Sequence, residues 1–349
     1  MTLAALQEEI RVAAARAAPL RLRGGGSKDF YGNEPRGELL DVRRYAGIVD
    51  YEPSELVLTA RGGTALAEVE QALAEHGQCL PFEPPHFGAA TLGGCIAAGL
   101  SGPRRAAAGA LRDFVLGVKL IDGRGRALEF GGRVMKNVAG YDVSRLVAGS
   151  LGTLGFIAEA SVKVLPRPSA ERTLAFEMAE APALDAMNRW AGEPLPVSAS
   201  AWHEGTLYVR LSGSAAAVQA AAPRLGGNEL ADTVAFWRSL REQTHAFFSG
   251  EAPLWRIAVP SATAPLELGG AQLLEWNGGL RWLRSSLSAQ EIRAAAERAG
   301  GHATLFRARD KSAGAFTPLD PVRLRLHREL KRAFDPAGIL NPGRMYAQF

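Results

Sequence analysis

Gly149-Ser-Leu-Gly-Thr-Leu-Gly155 runs straight into Phe156-Ile-Ala-Glu-Ala-Ser-Val-Lys-Val164. Glycines three residues apart let a backbone come close to a ligand and expose its N–H groups. The residues after the glycines decide the fold. Ala158, Ala160, Val162 and Val164 alternate with Glu159, Ser161 and Lys163, the period of a strand. A Rossmann or Walker loop would open into a helix at this point. The stretch is a nucleotide-type glycine loop feeding a strand, which argues against both common nucleotide folds.

Around it, 349 residues are enough for two domains with sizeable cores, and 47% hydrophobic with 22% charged residues describes an ordinary globular chain. A net charge of +4 and a pI near 9.2 are accounted for by a solvated surface. No Lys/Arg run marks nucleic-acid binding. Cys79 and Cys95 are too few for a disulfide framework, a zinc site or an iron–sulfur ligand set, so no metal is expected. They fit a reducing cytoplasm. No apolar run reaches the length of a membrane span. Leu3, Leu6 and Ile10 repeat at helical spacing around Gln7, Glu8 and Glu9, an amphipathic helix rather than a signal or transit peptide.

The pattern predicts short strands at 20–23, 39–42 and 55–59. A helix comes next, with Leu66, Val69 and Leu73 on one face and Thr64 as its N-cap. Residues 81–105 are rich in small side chains, as where something packs against backbone. Strands at 115–121 and 126–130 flank Asp122-Gly123-Arg124-Gly125, where Asp-Gly would supply the positive φ of a tight turn. Pro166 and Pro168 close the opening strand, and all six tryptophans lie beyond them. Hairpins are expected at 197–202/206–211 and 273–276/280–283. Helices are expected near 214–225, 232–248 and 288–299 on one face of an antiparallel sheet, with a last helix over 321–334. No internal repeat is visible.

Three glycine-rich loops, at 23–28, 88–99 and 149–155, gather in the first half of the chain. One such loop is weak evidence. Three suggest an extended ligand, with Arg23, Ser27 and Lys28 supplying charge and a hydroxyl to a pyrophosphate. The runs Arg23-Gly-Gly-Gly-Ser-Lys28, Gly88-Ala-Ala-Thr-Leu-Gly-Gly94, Ala97–Arg105, Leu111–Gly117, Lys136-Asn-Val-Ala-Gly-Tyr-Asp142 and Gly149–Ile157 together resemble the FAD-binding oxidoreductases of the vanillyl-alcohol oxidase / p-cresol methylhydroxylase (PCMH) type. Phe334–Arg344 resembles the C-terminal signature of FAD-linked 2-hydroxy-acid oxidases. Within the family, the run Gly24–Gly32, the short cap and the length resemble the smaller flavin-binding subunit of bacterial glycolate-oxidising complexes.

The resemblance implies an α+β fold: a PCMH-type FAD-binding domain over 1–166, in subdomains of about 1–55 and 56–166, an antiparallel-sheet α+β cap over 167–315, and a helix and tail over 316–349 returning to the first domain. It implies FAD, held by backbone at Gly24, Gly25, Gly26, Ser27 and Lys28 with Arg23 beside them, and by Gly88, Thr91, Leu92, Gly93, Gly94 and Ala97. Ser101, Gly102 and Arg105 would lie along the ribityl-to-flavin path. Gly149, Ser150, Gly152, Thr153, Gly155 and Ile157 would hold the adenosine end, and Asn341 would cap the site. Lys136 and Asn137 match a segment whose lysine sits near the flavin and can meet a substrate carboxylate. His86 is the histidine nearest the predicted flavin and a second catalytic candidate.

Residues 24–28 hold neither histidine nor cysteine, so FAD is expected to be noncovalent. The His-x-Gly-Asp-Gly-Asn-x-His-x-Asn segment of catalytic 2-hydroxy-acid dehydrogenases is missing, and His203, His245, His302 and His327 are isolated. The implied activity is oxidation of a 2-hydroxy acid (glycolate to glyoxylate) beside a larger flavin subunit and an iron–sulfur subunit, in the cytoplasm, with any membrane association through those partners. The alternatives are a free-standing FAD-dependent hydroxy-acid oxidase and a non-catalytic scaffold.

Overall fold

The computed structural model describes residues 2–132 and 142–349. The strand next to the opening glycine loop, Phe156–Lys163, lies at the centre of a five-stranded antiparallel sheet ordered Ile48–Glu52, Val57–Arg61, Phe156–Lys163, Val115–Ile121, Ala127–Gly131. Its apolar positions are buried, and Glu159 and Ser161 are paired on the other face. Glu159 accepts from Tyr45 and Lys119, and the Ser161 hydroxyl meets that of Thr59 at 2.8 Å. Helices Leu66–Glu75 and Leu92–Ala98 cover the apolar face.

The expected cap at Thr64 is not made. Ala65 is the N-cap of Leu66–Glu75, and the Thr64 hydroxyl instead pins the backbone of Gly47, accepting from its N–H at 2.9 Å and donating to its carbonyl at 3.1 Å. Gly123 also differs from expectation. The positive φ of that turn falls on Gly125, and Gly123 is needed for close approach, because a Cβ there would lie 2.3 Å from Asp335 Oδ1.

A smaller layer combines helix Leu3–Ala15 with the parallel pair Leu20–Arg23 and Glu38–Asp41. The tail joins it: Leu340 bridges Leu20, and Ile339 and Leu340 enter the same apolar cluster as Leu6 and Ile10.

Beyond Pro166 the chain builds an eight-stranded antiparallel sheet ordered Asn228–Glu229, Ala170–Glu177, Thr206–Gly213, Val197–His203, Ala271–Glu275, Leu280–Arg284, Leu254–Ala258, His302–Arg307. Both expected hairpins are present. The sheet is a duplication that the residue pattern concealed. Strand Ala170–Glu177, helix Glu180–Ala191, a hairpin, helix Ala215–Leu225 and strand Asn228–Glu229 form one ferredoxin-like half. Strand Leu254–Ala258, a hairpin, helix Ala289–Arg298 and strand His302–Arg307 form the other, with an irregular run over 259–270 in place of its first helix. The buried Arg281 ties down that run, donating to the carbonyls of Thr263, Ala264 and Gly278.

Three helices cover one face of this sheet. The helix expected over 232–248 does not join them. It breaks at Gln243, where φ is +55°, into helix Thr233–Arg241 and a 3₁₀ turn Ala246–Phe248. Trp237 and Leu240 pack on the opposite face, among Leu254, Leu273, Leu280, Trp282 and Phe306 and the loop residues Tyr31, Leu100 and Leu151 of the glycine-rich half. The two halves of the molecule therefore share one apolar core.

Helix Pro321–Phe334 starts on an Asp320 cap, with proline at its first position. Most of it is exposed, Leu324, His327, Leu330 and Phe334 are half-buried, and Lys331 is only 4% exposed, with Asp335 at 1%. Lys331 Nζ donates to Asp335 Oδ2 at 2.7 Å, Thr153 O at 2.8 Å and Leu340 O at 2.6 Å, using all three protons. Asp335 also accepts from the N–H groups of Ile339 and Leu340. Replacing one partner strands the other charge without water. Lys331→Met is expected to lower unfolding stability by about 3–5 kcal/mol in urea titrations, far beyond an exposed i,i+4 pair.

Candidate functional site

Strand Leu20–Arg23 delivers the first glycine loop, and Asn341 fixes where it sits. The Asn341 side chain accepts from Leu22 N–H at 2.8 Å and donates to Leu151 O at 2.7 Å, bolting the first loop to the third. Asn341 holds φ +43°, a region asparagine tolerates. Thr91 caps helix Leu92–Ala98 through Gly94 N–H, and this sets the second loop. The first and second loops touch: a Cβ on Gly24 would lie 2.3 Å from Thr91 Oγ1, and one on Gly25 would lie 1.3 Å from Ala89 O.

The loops enclose a cleft lined by Arg23 to Lys28, Thr91, Gly94, Ala97, Ala98, Leu151 and Asn341, and by Arg21, Asp29 and Arg344, which the residue pattern does not single out. The N–H groups of Gly25, Gly26, Ser27 and Lys28 find no acceptor among the described residues. Four cations face one carboxylate there. Arg21 and Arg23 both reach Asp29. Arg344 donates to the carbonyls of Asn33, Lys28 and Asp29. Burial pushes the Arg344 guanidinium down to about 10 and also lowers the Lys28 ammonium, against the raising effect of Cys95 and Glu242. Free backbone donors and surplus positive charge fit the pyrophosphate of a dinucleotide.

The remaining predicted residues divide. Leu92 and Gly93 lie behind the cleft, Gly93 against Gly62. Gly155 packs on Leu120, and Ile157 is in the sheet core. Ser150 and Thr153 are buried, with Thr153 Oγ1 donating to Ser150 O. Gly149 abuts Gly99 and Gly152 abuts Asn341. Gly88 holds φ +110°. Ser101 and Gly102 face the large sheet. The Ser101 hydroxyl accepts from Leu111 N–H, Gly102 O accepts from Trp276 Nε1 at 3.0 Å, and Arg105 lies 4.5 Å over the Trp276 ring. The His86 ring is engaged by Glu70 at 3.0 Å, while its carbonyl accepts from Lys28 Nζ at 3.1 Å. Lys136 and Asn137 fall outside the described residues.

Arg256 and Glu275 are two further charged residues that the residue pattern does not single out. Both lie on the face of the large sheet that meets the glycine-rich half, lining a cavity of about 20 Å³ with Phe87, Ser101, Gly102 and Trp282. Arg256 lies 5.2 Å over Trp276, on which Arg105 also stacks. Glu275 is 4% exposed and accepts from Trp282 Nε1 at 2.8 Å. The available signal was a charged residue at an inward position of an alternating strand, as in Leu254-Trp-Arg-Ile-Ala258.

The fold and the cleft define a flavin-nucleotide-binding oxidoreductase of two parts. Residues 2–131 match the FAD binding domain family, and residues 309–345 match the C-terminal domain of FAD linked oxidases. The solved structure of an alkyldihydroxyacetonephosphate synthase shares the fold, with a TM-score of 0.66 at 16% identity over 96% of this chain and 73% of that one. Glycolate oxidase subunit GlcE of Escherichia coli (strain K12) is 49% identical over 345 residues, 99% of this chain and 97% of the relative. The chain belongs to the family of that subunit, an FAD-binding family. Glycolate oxidase subunit GlcD of Bacillus subtilis (strain 168) is 31% identical over 195 residues, 55% of this chain and 42% of the relative. A D-lactate dehydrogenase of Archaeoglobus fulgidus is 32% identical over 162 residues, 45% and 36% respectively.

Glu275 gives stability a pH dependence of known sign. Burial raises its carboxyl from 4.5 to about 7, against the opposing Trp282 hydrogen bond and Arg256 charge. The folded state holds this proton more tightly than the unfolded chain. The contribution is complete below pH 4.5 and is lost as pH rises to about 7. Glu275→Gln should remove that loss. Urea midpoints of variant and parent should coincide near the lower pH and diverge above the upper one, the variant being more stable by about 3 kcal/mol.

Proposed function

We propose that this chain is the smaller FAD-binding subunit of a glycolate-oxidase-type complex oxidising 2-hydroxy acids, and that it relays electrons or stabilises the complex while a larger flavin subunit performs the substrate step. The observation that carries the reading is near-full-length likeness to a glycolate oxidase subunit, together with a cleft whose donors suit FAD. An iron–sulfur partner belongs to the same proposal. Among the described residues no helix is long and apolar enough to cross a membrane. The division into 1–166, 167–315 and a returning tail is supported by where the two large sheets begin and end.

Bound FAD supplies a two-electron acceptor that can pass electrons on. The loop at 24–28 would hold its pyrophosphate with backbone N–H groups. Lys28 and Arg344 would balance its charge, and Thr91 would keep the second loop against the first. The division of labour is supported by the lack, in the sequence, of the His-x-Gly-Asp-Gly-Asn-x-His-x-Asn segment of catalytic 2-hydroxy-acid dehydrogenases. The cavity beside Arg256 and Glu275 is small, about 20 Å³. One observation favours a free-standing oxidase. Arg256 could anchor a carboxylate, and Glu275 is poised near neutrality to take a proton. In that reading Lys136 would assist the carboxylate, and His86 would contribute through the Lys28 contact that its carbonyl makes.

The purified chain should show a flavin spectrum that stays oxidised when glycolate or D-lactate is added without oxygen. Bleaching would establish the free-standing oxidase instead. A colourless protein that cannot be reconstituted with FAD would leave only the scaffold. Gly25→Ala, whose Cβ must drive the first two loops apart, should weaken FAD retention by about tenfold or more, read as flavin released on dilution.

A further inference from the structure

A second cleft lies away from the glycine loops, where residues 79–83 and helix Leu66–Glu75 face helix Thr233–Arg241 across the junction with the large sheet. Its volume is about 370 Å³, within the range of small-molecule sites. Five guanidinium groups and three carboxylates line it.

The pairing leaves positive charge over. Glu83 is taken by Arg104 and Arg210 together. Burial pushes its carboxyl up, but the two arginines outweigh that and hold it below the ordinary value. Arg104 also takes Glu171, so two arginines consume two of the acids. The third acid, Glu70, is spent on His86. Arg241 pairs with Glu242. Arg167 uses only Nε, on the carbonyl of Gln78. The Arg238 side chain has no hydrogen bond or ion pair among the described residues. Two exposed guanidinium groups with unspent donors thus line a cleft whose other charged groups are already ion-paired. A concave site with surplus positive charge attracts anions, and guanidinium forks suit planar carboxylates and phosphoryl groups.

We infer that this cleft is a binding site for a small dianion, carboxylate or phosphoryl in chemistry, held by Arg167 and Arg238 and separate from the flavin cleft. Because one arginine comes from each side of the junction, the ligand would bridge the glycine-rich half and the large sheet. The inference does not depend on the proposed function.

Cys79 lines the cleft and is partly exposed, so it reports on it. Burial raises both thiols, but Cys95 is fully buried and pushed up to about 12, which silences it. The test is the labelling rate of Cys79 by neutral N-ethylmaleimide on the flavin-loaded protein, at fixed ionic strength set with chloride, while succinate or inorganic phosphate is titrated. Saturable slowing of about tenfold is expected with one of the two anions, with unchanged flavin content. Protection by succinate assigns a dicarboxylate, and protection by phosphate a phosphoryl ligand. The exposed double variant Arg167→Ala/Arg238→Ala should fold, keep its flavin and label at the unprotected rate with either anion. No saturable protection by either anion, or equal protection in the double variant, would overturn the site.

Discussion

The ammonium of Lys331, buried against the carboxylate of Asp335, is the constraint on which the flavin cleft depends. Taking two such charges out of water costs on the order of several kcal/mol each unless every proton and lone pair finds a partner. Here they do, and the partners come from distant parts of the chain. Lys331 reaches the carbonyl of Thr153 in the third glycine loop, and Asp335 receives the N–H groups of the tail that lies beside the first strand. One saturated pair therefore sets the distance between loop and tail. Asn341 then sets the distance between tail and the first glycine loop. Without that chain of bonds, the unpaired N–H groups at 25–28 would have no fixed direction.

The second constraint is the shared core. Trp237 from the helix on the large sheet, Trp276 from its turn and Trp282 from its strand pack with Tyr31, Leu100 and Leu151 from the loops. The glycines that let the loops approach each other also let aromatic residues come up behind them. The cost is charge burial, because Arg256 and Glu275 lie in this core with few polar neighbours. Their perturbed protonation is the result of packing one apolar face of the large sheet against a loop cluster.

Much of this was legible in the residues. Strand Phe156–Lys163 could be read from its alternation, and the hairpins around 204–205 and 277–279 from turn glycines between apolar runs. The glycine loops marked the cleft because they must be glycine to touch. Other features left no readable trace. Lys331 and Asp335 look like any solvated i,i+4 pair until the tail folds over them. Thr64 has cap chemistry, but Gly47, seventeen residues upstream, competes for its hydroxyl. Helix Glu180–Ala191 carries Pro182 in its first turn, where proline is tolerated but reads as a break. The duplication in the large sheet lies in topology alone, since one half replaces a helix with a loop held by Arg281.

The returning tail also orders events in time. The layer containing the first strand is incomplete until Ile339 and Leu340 enter it, about three hundred residues after that strand is made. The large sheet is built entirely from strands between Ala170 and Arg307, so it can form while the tail is still being synthesised. The nucleotide cleft is thus closed from behind, by a segment that emerges after the rest is built. Until then the glycine loops have no lock, and a nascent chain has no assembled place for the cofactor.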